Sequence, residues 1–498
     1  MDRVRTVHGH LSQREVREVD VCIVGGGFSG LINAIKLVDA GIDSFVIVER
    51  EDQVGGTWKV NKYPGCACDV PSTAYLPLSL LPGWTPSRLY PCSDEIQGFM
   101  KGLVARYDLG RRCVVNTSVV SCRWQGAVWH VATSSNITFI AKFVICCTGV
   151  LSSANGTFRN ESFKGSVVHT TDWDDGQSVK GKRVAVVGTG ASAVQVVTAL
   201  SKENEFDDLF VFQRTAVYCT ARNDRPISKA VADKIRSSPS YGDGKREWYH
   251  SAVEETLFKI FHNKVLNKRK KEEIHSIIRA TVEDKTTADA LCPEYDFGCK
   301  RVIVSDDYYA CFNNPKVHLV AEGVEGLTEN GVRTMSGYQV ENLDMVICAT
   351  GFDVSRGYLK GVDVYGREGR LLSDEWKDGA KTFLGIHCHG FPNLFLMVGP
   401  QAFSPYTNTV HLILEQSAYI IKQIQKKTLV EVSRQAQDKW VSKCRELGAQ
   451  SVWATCTNWY NGNGGDVTSF AGRFEQYKAF LAAEESSGYS SYKHRASC

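Results

Sequence analysis

Residues 20–30 read DVCIVGGGFSG, a short run of strand type followed by three glycines and the start of a helical pattern. The apolar residues within 31–37 recur at three- and four-residue steps, as on the buried face of a helix. Gly25 permits a tight turn, Gly27 lets the backbone approach a pyrophosphate, and Gly30 lets the helix pack close to the strand. The helix N-terminus then faces the anion. This stretch predicts a strand–turn–helix unit that binds a dinucleotide.

An acidic residue completes this first unit. The next predicted strand, residues 44–48, ends at Glu49. An acid about 20 residues after the glycine loop binds ribose hydroxyls in such units. A glycine turn alone also occurs in other α/β units, but the strand, the helix and the acid together favour nucleotide binding.

A second unit repeats the pattern at residues 184–193, VAVVGTGASA. Gly188 and Gly190 open its loop, and Ala193 stands where the third glycine would be. The helix that follows carries Ser192 and Gln195, which we expect to contact the second nucleotide.

The acid of the first unit has a basic counterpart in the second. The predicted strand at 209–213 ends in Arg214. An arginine at this place suits a 2′-phosphate, which predicts NADPH and not NADH as the second nucleotide. On this residue alone, a surface arginine is an equally good interpretation.

Composition limits the classes of protein to which the chain can belong. Its 498 residues are enough for two or three domains, and 43% hydrophobic and 23% charged residues are ordinary for a soluble globular protein. A formal net charge of +3 gives no reason to expect nucleic acid as a partner. Residues 1–19 lack the apolar core of a secretory signal, and no apolar run is long enough to span a membrane.

The 17 cysteines are scattered singly through the chain, often within apolar strands. This distribution predicts free thiols in a reducing compartment, the cytoplasm, and not a disulfide framework. We find no zinc-binding spacing, so we expect no metal.

Between the two glycine loops, residues 163–174 read FKGSVVHTTDWD. This segment matches the pattern FxGxxxHxxxW(P/D) and resembles the signature of type I Baeyer–Villiger monooxygenases, which are class B flavin-dependent monooxygenases. These enzymes bind FAD and NADPH together and insert one oxygen atom beside a ketone. The matching positions are Phe163, Gly165, His169, Trp173 and Asp174.

The resemblance implies an α/β fold with two Rossmann-like dinucleotide-binding domains, one for FAD and one for NADP. The strands that end in Thr-Gly, at 148–149 and 350–351, resemble the crossings between the two domains. We therefore expect FAD-domain segments at 1–150 and 346–498, on either side of an NADP domain at 151–345. Within the NADP domain, residues of about 220–290 predict a helical excursion with helices at 229–236, 254–261 and 271–281, linked by a loop at 238–244.

The segments GGTW at 55–58 and YPGCACDVPS at 63–72 resemble the part of the family that passes beside the flavin. The resemblance implies that Thr57 and Trp58 bind FAD and that Asp69 is the active-site aspartate. On local grounds alone, Asp69 reads as a turn or capping residue.

The segment CKRVIVSDDYY at 299–309 resembles the family's Lys-Arg segment. By position, Lys300 contacts the 2′-phosphate of NADPH and Arg301 is the catalytic arginine. In the implied reaction, reduced flavin and O2 give a C4a-peroxyflavin anion that attacks the ketone and yields an ester or lactone. A guanidinium stabilises this anion and cannot lose its own proton, and Asp69 orients the guanidinium. Without the resemblance, adjacent Lys and Arg would be surface charge.

The C-terminal part of the chain carries one further match and one departure. CTNWY at 456–460 resembles a mobile segment that meets the nicotinamide cofactor, so Trp459 and the lid near 456–465 are candidates for NADP contact. An ordinary packed aromatic is the alternative. Relatives usually carry GPNTGLGHNS where this chain has GPQAFSPYTNT at 399–409, so the ketone itself cannot be inferred.

The segment YPGCACDVPS resembles a subgroup of the family that is common among fungal secondary-metabolite oxidases. This resemblance implies a role in secondary metabolism. Two other functions stay open from sequence. One is a nitrogen- or sulfur-oxidising flavin monooxygenase, which would not need Arg301. The other is a catalytically silent or NADPH-oxidase-like flavoprotein. The oligomeric state is not indicated by any pattern.

Overall fold

The computed structural model describes residues 15–156, 158, 162–174, 176–238, 240–354, 357–461 and 467–492. Its strands are β1 (Glu15–Val24), β2 (Phe45–Val48), β3 (Cys113–Val114), β4 (Val119–Gln125), β5 (Val128–Thr133), β6 (Ile137–Cys146), β7 (Ser166–His169), β8 (Arg183–Val187), β9 (Asp208–Phe212), β10 (Cys219–Thr220), β11 (Ile303–Val304), β12 (Val317–Val320), β13 (Val324–Leu327), β14 (Val332–Thr334), β15 (Gln339–Val340), β16 (Met345–Cys348), β17 (Asp363–Tyr365) and β18 (Leu394–Leu396).

The α-helices are α1 (Phe28–Asp39), α2 (Thr57–Val60), α3 (Ser72–Tyr75), α4 (Ser93–Arg106), α5 (Ala191–Glu203), α6 (Lys229–Ser237), α7 (Ser240–Tyr249), α8 (Glu255–His262), α9 (Lys264–Thr281), α10 (Lys285–Ala290), α11 (Leu372–Glu375), α12 (Thr409–Gln425), α13 (Arg434–Ala449) and α14 (Phe474–Ser486). None of them, over the residues that the structure describes, is long and apolar enough to cross a membrane.

Two sheets organise the molecule. The first has the order β17-β4-β5-β6-β1-β2-β3, with β18 added to β6, and β1 pairs in parallel with both β2 and β6. The second is fully parallel, with the order β12-β9-β8-β16-β7. Each sheet has a glycine loop at the carboxyl end of a central strand, which is where ligands bind in open α/β sheets. The predicted α/β fold with two Rossmann-like units is confirmed.

The two glycine loops have the same local construction. Gly25 has a φ of +105°, and a Cβ built there would lie 2.5 Å from the carbonyl oxygen of Cys147. Gly188 has a φ of +116°, and its Cβ would lie 2.5 Å from the carbonyl oxygen of Ala349. In both units, therefore, the loop turns tightly against the end of the neighbouring parallel strand, where only glycine fits.

The order in which the chain enters and leaves the two sheets can be compared with the expected domain boundaries. The second sheet takes its edge strand from β7 and an inner strand from β16, and β18 then returns to the first sheet. The second sheet thus reaches Cys348, three residues beyond the boundary that we expected from the sequence. The arrangement still has an inserted unit between two segments of the first unit.

The helical excursion differs from the sequence prediction at residues 238–244. We expected a loop there, but α7 begins at Ser240 and continues through a π-helical turn, His250–Glu254, into α8. Contacts with the first unit explain the helix. Arg246 donates hydrogen bonds to the backbone oxygens of Ala74 (3.0 Å) and Leu76 (2.9 Å). Tertiary contacts of this kind override the loop preference of a Gly- and Ser-rich stretch.

The expectation of free thiols fails at one pair of cysteines. Cys299 and Cys456 form a disulfide across 157 residues of sequence, whereas 14 other cysteines of the described residues are free. No spacing rule could have paired them, because only the tertiary fold brings them together.

Candidate active site

The first glycine loop is fixed by the acid that follows β2. The backbone N–H of Gly26 donates to Oε2 of Glu49 at 2.6 Å, and the N–H of Glu51 donates to Oε1 at 2.9 Å. Glu49 is buried at the carboxyl end of β2. Its carboxylate therefore lies beside the loop, as the sequence predicted, although its bond to Gly26 was not foreseen.

A cavity of about 820 Å³ opens at this end of the first sheet. Gly25 and Glu49 lie on one wall, and Thr57 and Thr148 lie beside them. Trp173 of the fingerprint segment also reaches this cavity. A glycine cradle, a buried acid and a helix N-terminus at one cavity fit a dinucleotide such as FAD.

Trp58 is held in one orientation next to this loop. Its Nε1–H donates to the hydroxyl of Tyr75 at 2.9 Å, and the two rings meet edge to face with centroids 5.7 Å apart. Phe28, at the start of α1, packs edge-on against the same tyrosine at 5.6 Å. These three aromatic rings form one wall next to the glycine loop.

Arg301 and Asp69 form an ion pair between the two units, 232 residues apart in sequence. Nε of Arg301 donates to Oδ2 of Asp69 at 3.2 Å, and Nη2 donates to the same oxygen. The carboxylate raises the pKa of Arg301, and burial opposes this shift. The two side chains keep 36% and 27% of their surface exposed, so the guanidinium is fixed and still reachable by a small molecule.

Tyr460 is a second partner of Arg301 that the sequence analysis missed. It is 1% exposed, and its phenol lies beside the guanidinium. Burial raises the pKa of Tyr460, and the neighbouring Arg301 cation opposes that shift. The only signal in the sequence was its position directly after Trp459, because a contact over 159 residues leaves no local pattern.

Tyr249 closes the same region from the end of α7. Burial is the main cause that raises its pKa, and the charges of Asp69 and Arg301 act on it as well. The helical excursion therefore contributes a half-buried phenol to the surroundings of the ion pair.

Lys300 and Arg214 lie near each other in the second unit. Burial lowers the pKa of Lys300, and the Arg214 cation lowers it further. In the described part of the chain, no acidic side chain forms an ion pair with either cation. Two neighbouring cations, with no ion-paired acid in the part of the chain that the structure describes, fit a phosphate group such as the 2′-phosphate of NADPH.

Gln195 and Ser192 lie at the start of α5 and face the first unit. The amide oxygen of Gln195 accepts from the hydroxyl of Tyr63 at 2.9 Å, and its Nε2 donates to the carbonyl of Ala67 at 2.9 Å. The Ser192 hydroxyl also contacts Tyr63. In this structure both side chains tie α5 to the segment that carries Asp69, so their expected contact with NADP stays a prediction.

Trp459 packs against the loop that departs from the relatives. Its ring centroid lies 5.5 Å from that of Phe403 and 3.9 Å from that of Tyr460. Gln401 fixes this loop: its amide group accepts from Thr382 N–H at 3.0 Å and donates to Val467 O at 2.8 Å. Residues 462–465 of the expected lid lie outside the described residues.

Comparisons with known proteins agree with this geometry. The sequence model of the family described as "Pyridine nucleotide-disulphide oxidoreductase" matches residues 22–206. A Baeyer–Villiger monooxygenase of Pseudomonas aeruginosa is 32% identical over 95% of this chain and 91% of its own length. The Baeyer–Villiger monooxygenase ATR8 of Stachybotrys chlorohalonatus is 31% identical over 92% and 81%. The chain belongs to the Baeyer–Villiger monooxygenase family.

Solved structures and a more distant relative extend this result. OTEMO in complex with FAD and NADP superimposes with a TM-score of 0.89 at 26% identity, covering 96% of this chain and 99% of that one. A closed cyclohexanone monooxygenase gives 0.88 at 27% identity, covering 97% and 100%. The phenazine N-monooxygenase PhzNO1 of Lysobacter antibioticus is 29% identical over 95% and 96%.

The fingerprint of this Baeyer–Villiger family member lies at the junction of the two sheets. His169 ends β7, where it pairs with Cys348 of β16, and its ring meets Phe352 edge-on at 6.4 Å. Its Nδ1 accepts from the N–H of Thr171 at 3.2 Å, which turns the chain toward Trp173 at the cavity.

The other fingerprint residues lie before β7 and after the turn that follows it. Gly165 is needed because a Cβ there would lie 2.6 Å from the carbonyl oxygen of Asp344 and 2.7 Å from the ring of Phe163. Asp174 accepts a hydrogen bond from the N–H of Gly176 at 2.8 Å. These contacts support a role in domain geometry and not in a chemical step. Among the described residues, no three His, Cys, Asp or Glu side chains are grouped so that they could hold a metal ion.

Proposed function

We propose that this chain is an FAD- and NADPH-dependent monooxygenase that inserts one oxygen atom of O2 beside the carbonyl of a ketone and gives an ester or lactone. The observation that carries the proposal is the Arg301–Asp69 pair, which stands between the two dinucleotide units. We propose secondary metabolism as the context of this reaction because of the YPGCACDVPS segment. The many free thiols of the described chain support the cytoplasm as its location.

The residues that would hold the two cofactors come from the two units that this pair joins. Gly25, Gly27 and Glu49 would hold the FAD, and Arg214 and Lys300 would hold the 2′-phosphate of NADPH. When bound, NADPH reduces the flavin, and the reduced flavin with O2 supplies the oxygen atom for insertion.

Arg301 supplies the charge that the reaction needs. Addition of an oxygen nucleophile to the ketone carbon places negative charge on the carbonyl oxygen. A guanidinium stabilises such charge and cannot give up its proton. Asp69 holds the guanidinium in place and raises its pKa, so Arg301 stays cationic throughout the cycle.

Oxidation of nitrogen is the second candidate function, because the phenazine N-monooxygenase is similar over most of its length. That chemistry develops no oxyanion on a carbonyl group. The fixed arginine beside Asp69 therefore favours ketone oxidation.

The direct test replaces Arg301. Loss of a comparable oxyanion donor lowers the rate about 10²–10³-fold, and we expect Arg301→Ala to reduce ester formation by that factor with FAD still bound. NADPH oxidation should continue and release H2O2. Arg301→Lys restores the charge without the planar fork and should rescue poorly.

The control is Arg225→Ala, which removes an exposed guanidinium that donates to the carbonyl of Asn223 in its own turn. It should leave ester formation unchanged. Ester formation by Arg301→Ala at near the wild-type rate would show that the assigned role is wrong.

A further inference from the structure

The segment that carries Trp459 is docked on the turn that carries Arg301. We call residues 452–461 the docked segment and residues 296–301 the Lys-Arg turn. Trp453 Nε1–H donates to the carbonyl of Gly298 at 3.2 Å, and Thr455 Oγ1 donates to Oδ2 of Asp296 at 3.3 Å. Tyr460 adds its contact with the guanidinium of Arg301.

One covalent contact lies among these weaker ones. The sulfur atoms of Cys299 and Cys456 are bonded, and their Cα atoms are 6.3 Å apart. This separation is within the roughly 4.4–6.8 Å that disulfides span, so the backbone need not move for the bond to form. Cys299 directly precedes Lys300 and Arg301, and Cys456 is three residues before Trp459.

The docked segment is stiffened around its cysteine. Asn461 Nδ2 donates to the carbonyls of Trp453 (2.8 Å) and Cys456 (2.9 Å). The backbone N–H of Asn461 donates to the side chain of Asn458 at 3.0 Å, and Asn458 Nδ2 contacts the Cys456 sulfur at 3.2 Å. A covalent bond at Cys456 therefore restricts the motion of the whole segment as far as Asn461.

We propose that Cys299 and Cys456 are a reversible redox-modification site, at which a hydroperoxide forms the disulfide and so fixes the docked segment over the Lys-Arg turn. The expectation that this bond slows the release of NADP+ rests on the proposed NADPH site. The formation of the bond and its effect on the segment do not rest on it. In the oxidised state the segment cannot leave the turn. In the reduced state it is held by hydrogen bonds and by the packing of Trp453 and Trp459, which can break and re-form.

The two cysteines differ in access, and this difference sets the order of the steps. Cys456 is half-buried and Cys299 is fully buried. The Cys456 sulfur attacks one oxygen of H2O2, the O–O bond breaks, and the thiol proton leaves with the other oxygen as water. The Cys299 sulfur then attacks the resulting sulfenic acid, the S–S bond forms, and the S–O bond breaks with loss of a second water.

The overall change is two thiols and one H2O2 to one disulfide and two water molecules, with two electrons passed to the peroxide. The oxidant is the H2O2 that this class of enzyme releases when NADPH oxidation is not coupled to a substrate. A dithiol reverses the step by exchange. The site would therefore slow cofactor turnover when no ketone is present.

The test compares the holoenzyme after treatment with H2O2 and after treatment with dithiothreitol. Peptide mapping without reductant should find the Cys299 and Cys456 peptides linked only after peroxide. Amide hydrogen exchange over residues 452–461 should then be at least about fivefold slower, as for a typical coupling between sites. NADP+ release, measured by displacement, should slow by a similar factor.

Two variants sharpen the comparison. Cys456→Ser should behave in both treatments as the reduced wild type does. Cys92→Ser removes an exposed cysteine elsewhere and should respond to peroxide as the wild type does. The proposal would be overturned if the linked Cys299 and Cys456 peptides were absent, or if they were linked and amide hydrogen exchange over residues 452–461 did not slow. If the peptides are linked and amide hydrogen exchange slows, but neither the oxidised nor the reduced protein binds NADPH, the proposed nucleotide site is refuted and the redox site is not.

Discussion

Arg301 shows how one residue type is selected by chemistry and then fixed by the fold. A cation that must not titrate has to be a guanidinium, because lysine loses its proton more readily when it is buried. Asp69 and Tyr460 hold it from two other segments of the chain. The residue could be predicted from the family motif, whereas Tyr460 could not, since its contact exists only in three dimensions.

Arg214 is expected to select NADPH over NADH. Removal of a charge-assisted bond to phosphate costs about 1–3 kcal/mol, so Arg214→Ala should raise the KM for NADPH between about 5- and 150-fold. The KM for NADH should stay near the wild-type value, because NADH has no 2′-phosphate. Steady-state kinetics with both nucleotides measure this.

Arg333→Ala is the matched control for Arg214→Ala, because it removes an arginine of the same unit that pairs with Glu325. It should change neither KM. Equal effects of Arg214→Ala on both nucleotides would show that the residue does not read the phosphate.

Two glycines of the first loop have different roles, one in packing and the other in cofactor binding. A Cβ at Gly30 would lie 2.0 Å from the carbonyl oxygen of Gly25, whereas a Cβ at Gly27 meets nothing closer than Gly56 Cα at 3.6 Å. We expect Gly30→Ala to lower the melting temperature of the apoprotein and to abolish FAD binding. We expect Gly27→Ala to keep that melting temperature and to weaken FAD binding, since the backbone must approach the pyrophosphate there.

Thermal melts of the apoproteins and FAD titrations by flavin absorbance measure both effects, and the wild type should bind one FAD per chain. If Gly27→Ala binds FAD as tightly as the wild type, the pyrophosphate does not lie at this loop.

The sequence predicted those elements whose pattern is local. The strand of the second glycine unit was placed within one residue, as β8 at Arg183–Val187. The loop predicted at 238–244 was wrong, because anchoring of Arg246 on the first unit decides the conformation. The Cys299–Cys456 bond and the role of Gln401 likewise depend on distant partners, which periodicity cannot indicate.

The contact between the helical excursion and the C-terminal helix predicts a pH dependence of stability for the whole molecule. Burial raises the pKa of Glu254 from 4.5 to about 7, while the N–H of Phe474 at the start of α14 donates to its carboxylate and opposes the shift. Between pH 4.5 and 7 the folded state keeps a proton that the unfolded state has lost. The free energy of unfolding therefore falls as the pH rises through this window, by up to about 3 kcal/mol from this group.

His250 opposes this trend, because burial lowers its pKa to about 4 and its contribution is lost as the pH falls from 6.5 to 4. Comparison of Glu254→Gln with the wild type isolates the glutamate. The variant should gain about 2–3 kcal/mol relative to the wild type between pH 5 and 8 in urea unfolding. Glu255→Gln, next along the chain and paired at the surface with Arg473, is the control and should show no such gain. A difference independent of pH for Glu254→Gln would contradict the assignment.

At the scale of the whole molecule, we expect the two cofactor units and the Arg301–Asp69 pair to act together and to insert one oxygen atom of O2 into a ketone. The most direct measurement incubates the purified wild-type enzyme with NADPH, a panel of cyclic and linear ketones, and O2 enriched in the heavy oxygen isotope, and analyses the products by mass spectrometry. We expect an ester or lactone that contains one labelled oxygen atom, with one NADPH consumed for each product molecule. Steady NADPH consumption with release of H2O2 and no labelled ester or lactone from any ketone would contradict it.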